Sequence, residues 1–282
     1  MAKLIAIDAG HGMYTQGKQS VPMSSDLYIN GKMVRAKGKV IKENEWNRGV
    51  ATFLNDALVR CGFRTMYTSD MTGKTDVSLA SRVSKANNAG ADFFISCHYN
   101  AIGSCNTWQT KCKGLLVLKH NKCSNASSNL ANVIHKHLVS DVDFEHDYGV
   151  GTDTQWSGFS LYVLKHTNMA ANLIEYGFMD YEKEAKKMLD PSYQKKCAEA
   201  TAKGICEYFG VKYKAPSTNE SFLVKVITDE LNIRSGSSTS YPVVGTVHKG
   251  DVYTIVKVSG SWGFLKSGKG WININSKYCT KV

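Results

Sequence analysis

Residues 3–12 read KLIAIDAGHG, and four of the five positions from Leu4 to Asp8 are apolar. This run predicts a buried β-strand, which ends abruptly in Gly10-His11-Gly12. Because glycine adopts the backbone angles that tight turns need, His11 can be a bystander in an ordinary turn. It can also be a functional group held at the end of a strand. Only partners elsewhere in the chain distinguish the two.

Beyond this strand, the first two thirds of the chain alternate between strands and helices. Val50, Leu54 and Leu58, for example, recur at helical spacing. Strands are predicted at 3–9, 64–69, 91–100, 114–120, 160–167 and 170–179, and helices at 44–63, 78–90, 124–142 and 191–211. This alternation predicts an α/β fold, in which a mainly parallel, twisted sheet is covered by helices.

A long polar excursion from Met13 to Ile41 interrupts the alternation after the first strand. Within it, Asn30-Gly31 lies between alternating residues, which predicts a β-hairpin. We expect this hairpin to form a flap beside a functional site.

The pattern changes near residue 213. Residues 213–220 are short, polar and contain proline, which is typical of a linker. From 221 to 282 the period is two, with closely spaced strands and glycine-rich turns, which predicts a small all-β barrel. The predicted organisation is a first domain at 1–212, a linker at 213–220 and a second domain at 221–282.

Charge and hydropathy restrict the partners. The 282 residues carry a formal net charge of +11, and from Tyr213 onward nine Lys and Arg face four Asp and Glu. Such a balance favours polyanions, including nucleic acid, membrane surfaces and anionic cell-wall polymers, without choosing among them. No stretch of 18 apolar residues predicts a membrane span. No secretory signal is recognisable, so we expect synthesis in the cytoplasm and release by another route.

The eight cysteines contain no CxxC pair, so no zinc ribbon or redox dithiol is indicated. A cytoplasmic origin makes free thiols the default expectation. Cys105, Cys112 and Cys123 cluster in a polar loop, which leaves a metal site or a disulfide open there.

Ionisable residues follow several predicted strands. In α/β sheets, ligands bind at the carboxyl ends of strands, where His11 and His98 are expected. Glu175 interrupts an apolar strand, and Glu43 lies beside Glu45 at the start of the first long helix. Two histidines, a carboxylate and an open position are typical of a catalytic zinc site, and a second carboxylate can move protons there.

Each residue also has a simpler explanation. Glu43 can be a favourable charge at a helix N-terminus, and His98 can be a satisfied histidine at a strand end. Glu175 is harder to explain, because a carboxylate in a buried strand is costly unless it is paired or near a metal. His120 and His166 also end predicted strands and are kept as reserve candidates for the site. The HExxH pattern of common zinc proteases is absent.

Five segments occur in the order found in a known family: IAIDAGHG (5–12), KENEWNRGVATFLNDALVRCGF (42–63), LASRVSKANNAGADFFISCHYNA (79–101), DYGV (147–150) and LIEYGFMD (173–180). Together they resemble the zinc-dependent N-acetylmuramoyl-L-alanine amidases of type 3, over about Lys3 to Val211. The resemblance implies that His11, Glu43 and His98 hold Zn²⁺ and that Glu175 is the catalytic carboxylate. The excursion after Met13 is longer than the family pattern, so the cleft is expected to be reshaped.

The C-terminal part resembles a bacterial SH3-type cell-wall-binding domain. Leu231 to Tyr241, Trp262 and Trp271 carry this resemblance. Large aromatic residues in a small barrel are also commonly core residues, so the two tryptophans are not assigned to a ligand.

The resemblances imply a monomeric peptidoglycan hydrolase that cleaves the amide between N-acetylmuramic acid and L-alanine, with anionic wall polymers as further partners. A catalytic domain joined to a wall-binding domain, without a signal peptide, favours a phage endolysin acting at the bacterial cell wall. A host autolysin or sporulation amidase is the alternative, and a non-catalytic wall-binding protein is another. Charge alone favours nucleic acid, and no recognised binding motif supports that partner.

Overall fold

The computed structural model describes residues 2–216 and 221–282. Contacts divide the chain into two compact units, residues 1–215 and 216–282. In the described residues, no helix has both the length and the apolar character needed to cross a membrane.

The first unit alternates strands and helices, as the sequence predicts. Its strands are β1 (Leu4–Ala9), β2 (Leu27–Ile29), β3 (Lys32–Arg35), β4 (Arg64–Tyr67), β5 (Phe93–Asn100), β6 (Leu115–Lys119), β7 (Asp147–Thr152) and β8 (Ala170–Phe178). Its helices are α1 (Glu43–Cys61), α2 (Leu79–Asn88), α3 (Asn125–Asp141), α4 (Asp153–Ser157), α5 (Tyr162–His166), α6 (Glu182–Ala185) and α7 (Pro191–Tyr208).

Six strands form the main sheet in the order β4-β1-β5-β8-β6-β7. Four of the five pairings are parallel, and only β6 runs antiparallel to its neighbour β8. The predicted α/β class, with a mainly parallel sheet covered by helices, is therefore confirmed.

One predicted strand is absent from this sheet, and one strand of the sheet was not predicted. The segment 160–167, predicted as a strand, contains helix α5, in which Val163 and Leu164 are buried side by side. A short apolar run does not distinguish a strand from a buried helix. Strand β7 was not predicted, because Gly149 and Gly151 weaken its strand pattern.

The sheet is buried on both faces. Along β1, Ile5, Ile7 and Ala9 pack in the core formed with α1, α3 and α7. Leu4 and Ala6 point the other way, into a smaller core with α2 and α5. This alternation is the period of two expected of a strand, and it directs every second residue of β5 and β8 toward the α2 side.

The excursion between β1 and α1 contains the predicted hairpin. Strands β2 and β3 pair antiparallel, and Asn30 and Gly31 both have positive φ angles, 51° and 75°. Such angles are required by the type I′ turn. Arg35 of β3 forms an ion pair with Glu45 in the first turn of α1, so the hairpin is attached close to Glu43.

The second unit is a single seven-stranded antiparallel sheet with its own apolar core. Its strands are β9 (Phe222–Val226), β10 (Glu230–Arg234), β11 (Val243–His248), β12 (Val252–Ser259), β13 (Trp262–Leu265), β14 (Trp271–Asn273) and β15 (Cys279–Lys281). Trp262 is buried, whereas Trp271 is half-buried and packs against Phe264, with 5.2 Å between the ring centroids. The small all-β domain is therefore confirmed.

Residues 213–216 of the predicted linker, 213–220, belong to the described residues. Tyr213 donates a hydrogen bond to Glu199, and the Lys214 amide contacts the Cys61 sulfur, so both residues still contact the first unit. Residues 217–220 lie outside the described residues. The domain limits from the sequence stay a prediction.

Candidate metal centre

The turn after β1 requires its glycines. A Cβ atom on Gly10 would lie 2.2 Å from the imidazole ring of His98, and one on Gly12 would lie 3.0 Å from Asp76. Contacts below 3.0 Å force a neighbour to move, so Gly10 leaves the space that the His98 ring occupies. His11 itself has a φ of 57°, a strained value for a residue other than glycine. The turn therefore brings the rings of His11 and His98 together, with centroids 4.9 Å apart.

Three buried side chains hold this turn through its carbonyl groups. Asn44 of α1 donates to the carbonyl oxygens of Gly10 and His11, at 2.9 Å each. Asn47, one turn later, donates to the Gly10 oxygen at 3.0 Å. Arg82 of α2 donates to the His11 oxygen at 3.0 Å. These four hydrogen bonds stabilise the turn and so offset the backbone strain at His11.

Glu43 is the first residue of α1 and is 1% exposed. Its Oε1 accepts hydrogen bonds from the Tyr99 amide and from Asn47, both at 3.2 Å, and lies 2.9 Å from Nδ1 of His98. Its Oε2 lies 3.4 Å from Nε2 of His11. One carboxylate oxygen is thus held by the protein, while the other faces His11.

The electrostatics favour an ionised carboxylate beside a neutral His11. Burial lowers the pKa of His11 to about 4. Burial alone would raise the pKa of Glu43, but His11 and His98 outweigh it and hold that pKa well below its ordinary range. For His98, burial acts to lower the pKa, but the hydrogen bond and charge of Glu43 outweigh it and raise the pKa.

The three side chains form a group that can hold a metal ion. One donor atom from each of His11, Glu43 and His98 lies within 4.8 Å of the other two. Across residues 2–216 and 221–282, no other set of three or more His, Cys, Asp or Glu side chains converges in this way. Two imidazoles and one carboxylate, with room for a further ligand, match the donor set of catalytic zinc sites. The donors therefore fit a zinc ion, although their assignment as ligands stays a prediction.

Glu175 lies beside this group. It is the register partner of His98 on the neighbouring strand β8, so both side chains leave the sheet on the α2 side. Burial raises the pKa of Glu175 to about 7. Its Oε2 is buried and has no hydrogen-bond partner among the described residues. An unpartnered buried carboxyl oxygen is costly, and such groups are concentrated at functional sites.

Other ionisable residues that the sequence singled out have separate partners. Glu45 bonds the Lys42 amide as part of a capping box and pairs with Arg35. His120 lies 2.8 Å from the buried Asp153. Because β6 runs antiparallel to β8, His120 leaves the sheet at the end opposite His98. His166 belongs to α5 and not to a strand.

The three cysteines of the polar loop do not form a second site. Cys105 is buried, whereas Cys112 and Cys123 are half-buried, and all eight cysteines are free thiols. No metal-binding group in the described residues includes any of them.

Sequence reasoning did not find the buried network beneath His11. Arg82 and Asp8 are each 1% exposed and are joined by an ion pair of 2.9 Å. A signal was present, since Arg82 shares the inward stripe of α2 with Val83 and Ala86. A charged residue on that inward stripe indicates a buried partner.

Comparisons with known proteins add to this geometry. Residues 5–207 match the family model described as N-acetylmuramoyl-L-alanine amidase, and residues 229–278 match the model described as bacterial SH3 domain. The endolysin of Bacillus phage SPP1 is 30% identical over 219 residues, which are 76% of this chain and 69% of that protein. An uncharacterized cell wall amidase of Bacillus anthracis is 29% identical over 208 residues, 73% of this chain. The chain spans only 35% of that relative's length.

Solved structures agree with the family model. An N-acetylmuramoyl-L-alanine amidase from Clostridium difficile 630 is 27% identical, with a TM-score of 0.58, over 75% of this chain and 98% of that one. The catalytic domain of the amidase CwlV from Bacillus (Paenibacillus) polymyxa var. colistinus is 26% identical, with a TM-score of 0.58, over 74% of this chain and 99% of that one. The first unit, in which His11 and His98 at the carboxyl ends of two strands meet Glu43 at the start of α1, therefore belongs to the N-acetylmuramoyl-L-alanine amidase family.

Proposed function

We propose that the chain is a zinc-dependent peptidoglycan hydrolase that cleaves the amide between N-acetylmuramic acid and L-alanine. The observation that carries this proposal is the group of His11, Glu43 and His98, with the buried carboxyl of Glu175 beside it, in a chain of the amidase family. In this proposal the first three residues hold the ion and Glu175 is the catalytic acid and base.

The chemistry divides between the ion and the protein. When bound, zinc supplies a Lewis acid that polarises an amide carbonyl and acidifies water. The oxygen of the attacking water bonds to the carbonyl carbon, and Glu175 takes one proton from that water. The carbon–nitrogen bond then breaks, and Glu175 returns that proton to the nitrogen that leaves with L-alanine. A carboxyl with a pKa of about 7 suits both transfers, because it is half protonated near neutral pH.

The residues around the group maintain its shape. Asn47 and the Tyr99 amide hold Glu43 Oε1, which leaves Oε2 turned toward His11. Loss of a partner that orients a ligand in this way typically costs about 10- to 100-fold in metal affinity or activity.

We also propose that the second unit binds the cell wall and that the protein works as a monomeric endolysin. The match to the bacterial SH3 model and the endolysin relative support this. The basic balance of this unit, eight Lys and Arg against four Asp and Glu from residue 216 onward, suits anionic wall polymers. Relatives that are a sporulation-specific amidase and LytC keep a host autolysin as the second candidate.

Digestion of purified cell walls tests the reaction. We expect the protein to release free N-terminal alanine without new reducing sugar ends, and a chelator to abolish that release. New reducing ends without free alanine would instead identify a glycosidase.

Metal analysis tests the assignment of the ligands. Protein purified without added metal should contain one zinc per chain, and His11→Ala should lose it. A His11→Ala protein with full zinc content would contradict the assignment.

A further inference from the structure

A cavity of about 290 Å³ adjoins the candidate metal centre. It lies between the His11 turn and the start of α2, and His11 and His98 form part of its wall. Its volume is near the lower limit of ordinary ligand pockets, so it suits one ring better than an extended peptide.

The charged groups in this cavity are already paired. Arg82 uses all five of its N–H groups: Nε donates to the Val77 oxygen, and the two terminal nitrogens donate to Asp8, Asp76 and the oxygens of Ala9 and His11. Asp8 also accepts hydrogen bonds from two hydroxyl groups, those of Thr68 and Ser96. Apart from the candidate metal ligands, the described lining therefore offers no free cation to an incoming carboxylate.

Besides the two histidines and the buried Asp8–Arg82 pair, the cavity presents apolar surface, the Asp76 carboxylate and Ser78 to a ligand. Leu79 begins α2 and is 53% exposed, and Val77 and Val163 continue the apolar wall. Asp76 is half exposed; one oxygen accepts from Arg82 and the other from Thr15. Such a wall favours an uncharged ligand with methyl groups and hydroxyl donors, and it disfavours an anion.

The two parts of the proposed substrate differ in these properties. The muramoyl sugar has acetyl and lactyl methyl groups and hydroxyls, and its only carboxyl group is consumed in the scissile amide. The stem peptide carries free carboxylates, which Asp76 would repel.

We propose that this cavity binds the N-acetylmuramoyl ring, and that contact with Leu79 is what selects the sugar over the stem peptide. The inference rests on the proposed amide hydrolysis, and it fixes the direction of the substrate across the metal centre. The sugar lies toward α2, and the peptide extends away from it.

A pair of substrates tests the assignment. One is an N-acetylmuramoyl peptide, and the other is the matching D-lactyl peptide, which has the same amide and no sugar ring. The measured quantity is the ratio of their kcat/KM values, so a general loss of activity cancels. Leu79→Ser should lower this ratio by roughly tenfold, since losing a few methyl contacts in a pocket typically costs 10-fold or more.

Ile102 provides the matched control. It is 49% exposed and follows the same strand end as His98, but it does not line the cavity. Ile102→Ser should leave the ratio unchanged. An unchanged ratio in Leu79→Ser, or an equal loss in Ile102→Ser, would overturn the assignment of the sugar to this cavity.

A binding measurement separates this inference from the proposed reaction. The probe is N-acetylmuramic acid amide, which is uncharged, added to the zinc-loaded full chain with labelled methyl groups. Shifts of the Leu79 and Val163 methyl signals, without shifts at Ile102, support the cavity even if no amide is cleaved. Saturating probe without such shifts would refute it even if hydrolysis is normal.

Discussion

Replacing Glu175 by glutamine keeps the shape and polarity of the side chain but removes its ability to accept a proton. Since general acid–base groups contribute typically ~100- to 10,000-fold, kcat should fall by about that factor. Zinc content should stay at one per chain, because Glu175 is outside the group of three donors. Glu45→Gln is the control: glutamine preserves the capping box, and turnover should be unchanged.

The same substitution should stabilise the metal-free protein. Burial raises the pKa of Glu175 from 4.5 to about 7, and at 1.36 kcal/mol per unit this disfavours the ionised form by about 3 kcal/mol. Because the folded protein holds this proton more tightly than the unfolded chain, the wild type is not penalised below pH 4.5. The penalty grows as the pH rises to 7 and is constant above it.

Urea unfolding with chelator present, at pH 4.5 and pH 8, measures this difference. Glu175→Gln should match the wild type at pH 4.5 and exceed its free energy of unfolding by up to about 3 kcal/mol at pH 8. If the variant and the wild type were equally stable at both pH values, the conclusion that Glu175 is a buried, unpartnered carboxyl would be refuted. Loss of zinc together with activity would make Glu175 a ligand and place Glu43 in doubt, and near-normal turnover would remove Glu175 from the chemistry.

Three further predictions concern the turn, the protons and the second unit. Gly10→Ala places a methyl group against the His98 ring and should lose both zinc and activity. Gly103→Ala, whose new Cβ would have its nearest neighbour at 3.8 Å, should keep both. Equal zinc contents in the two variants would contradict the crowding argument. Zinc binding at pH 6 should release a proton from His98, because the raised pKa of that side chain favours its protonated form and a ligating imidazole must be neutral; calorimetry in buffers of different ionisation enthalpy measures this, and zinc binding at pH 6 without proton release would refute it. A chain ending at residue 215 should cleave soluble muramoyl peptides normally yet pellet poorly with cell walls, since a second binding site raises avidity ~100-fold or more; equal pelleting would count against wall binding by the second unit.

The sequence predicted the elements whose pattern is local. The alternation around Ile5 and Ile7, the period of α1 and the Asn30-Gly31 turn all depend on neighbouring residues, and the structure contains each of them. Strand β7 and helix α5 were missed because short segments with glycines or mixed apolar residues are decided by tertiary packing.

The site was predictable to the extent that strand direction was. His11, His98 and Glu175 meet because β1, β5 and β8 are parallel. The antiparallel direction of β6 has no local signal in the sequence. His120 therefore stayed a candidate on the assumption that β6 is parallel to its neighbours, and the structure shows that it is antiparallel to β8. To predict the buried position of Arg82, one would first have to know which face of α2 is buried.

Because β6 and β7 run in the reverse direction, the two ends of the sheet have different roles. The segments that follow these strands emerge away from His11 and His98. Loop lengths at that end are therefore uncoupled from the chemistry, and grafted segments or fusion partners belong there. At the opposite end, a side chain added at Gly10 competes with the His98 ring for the same space.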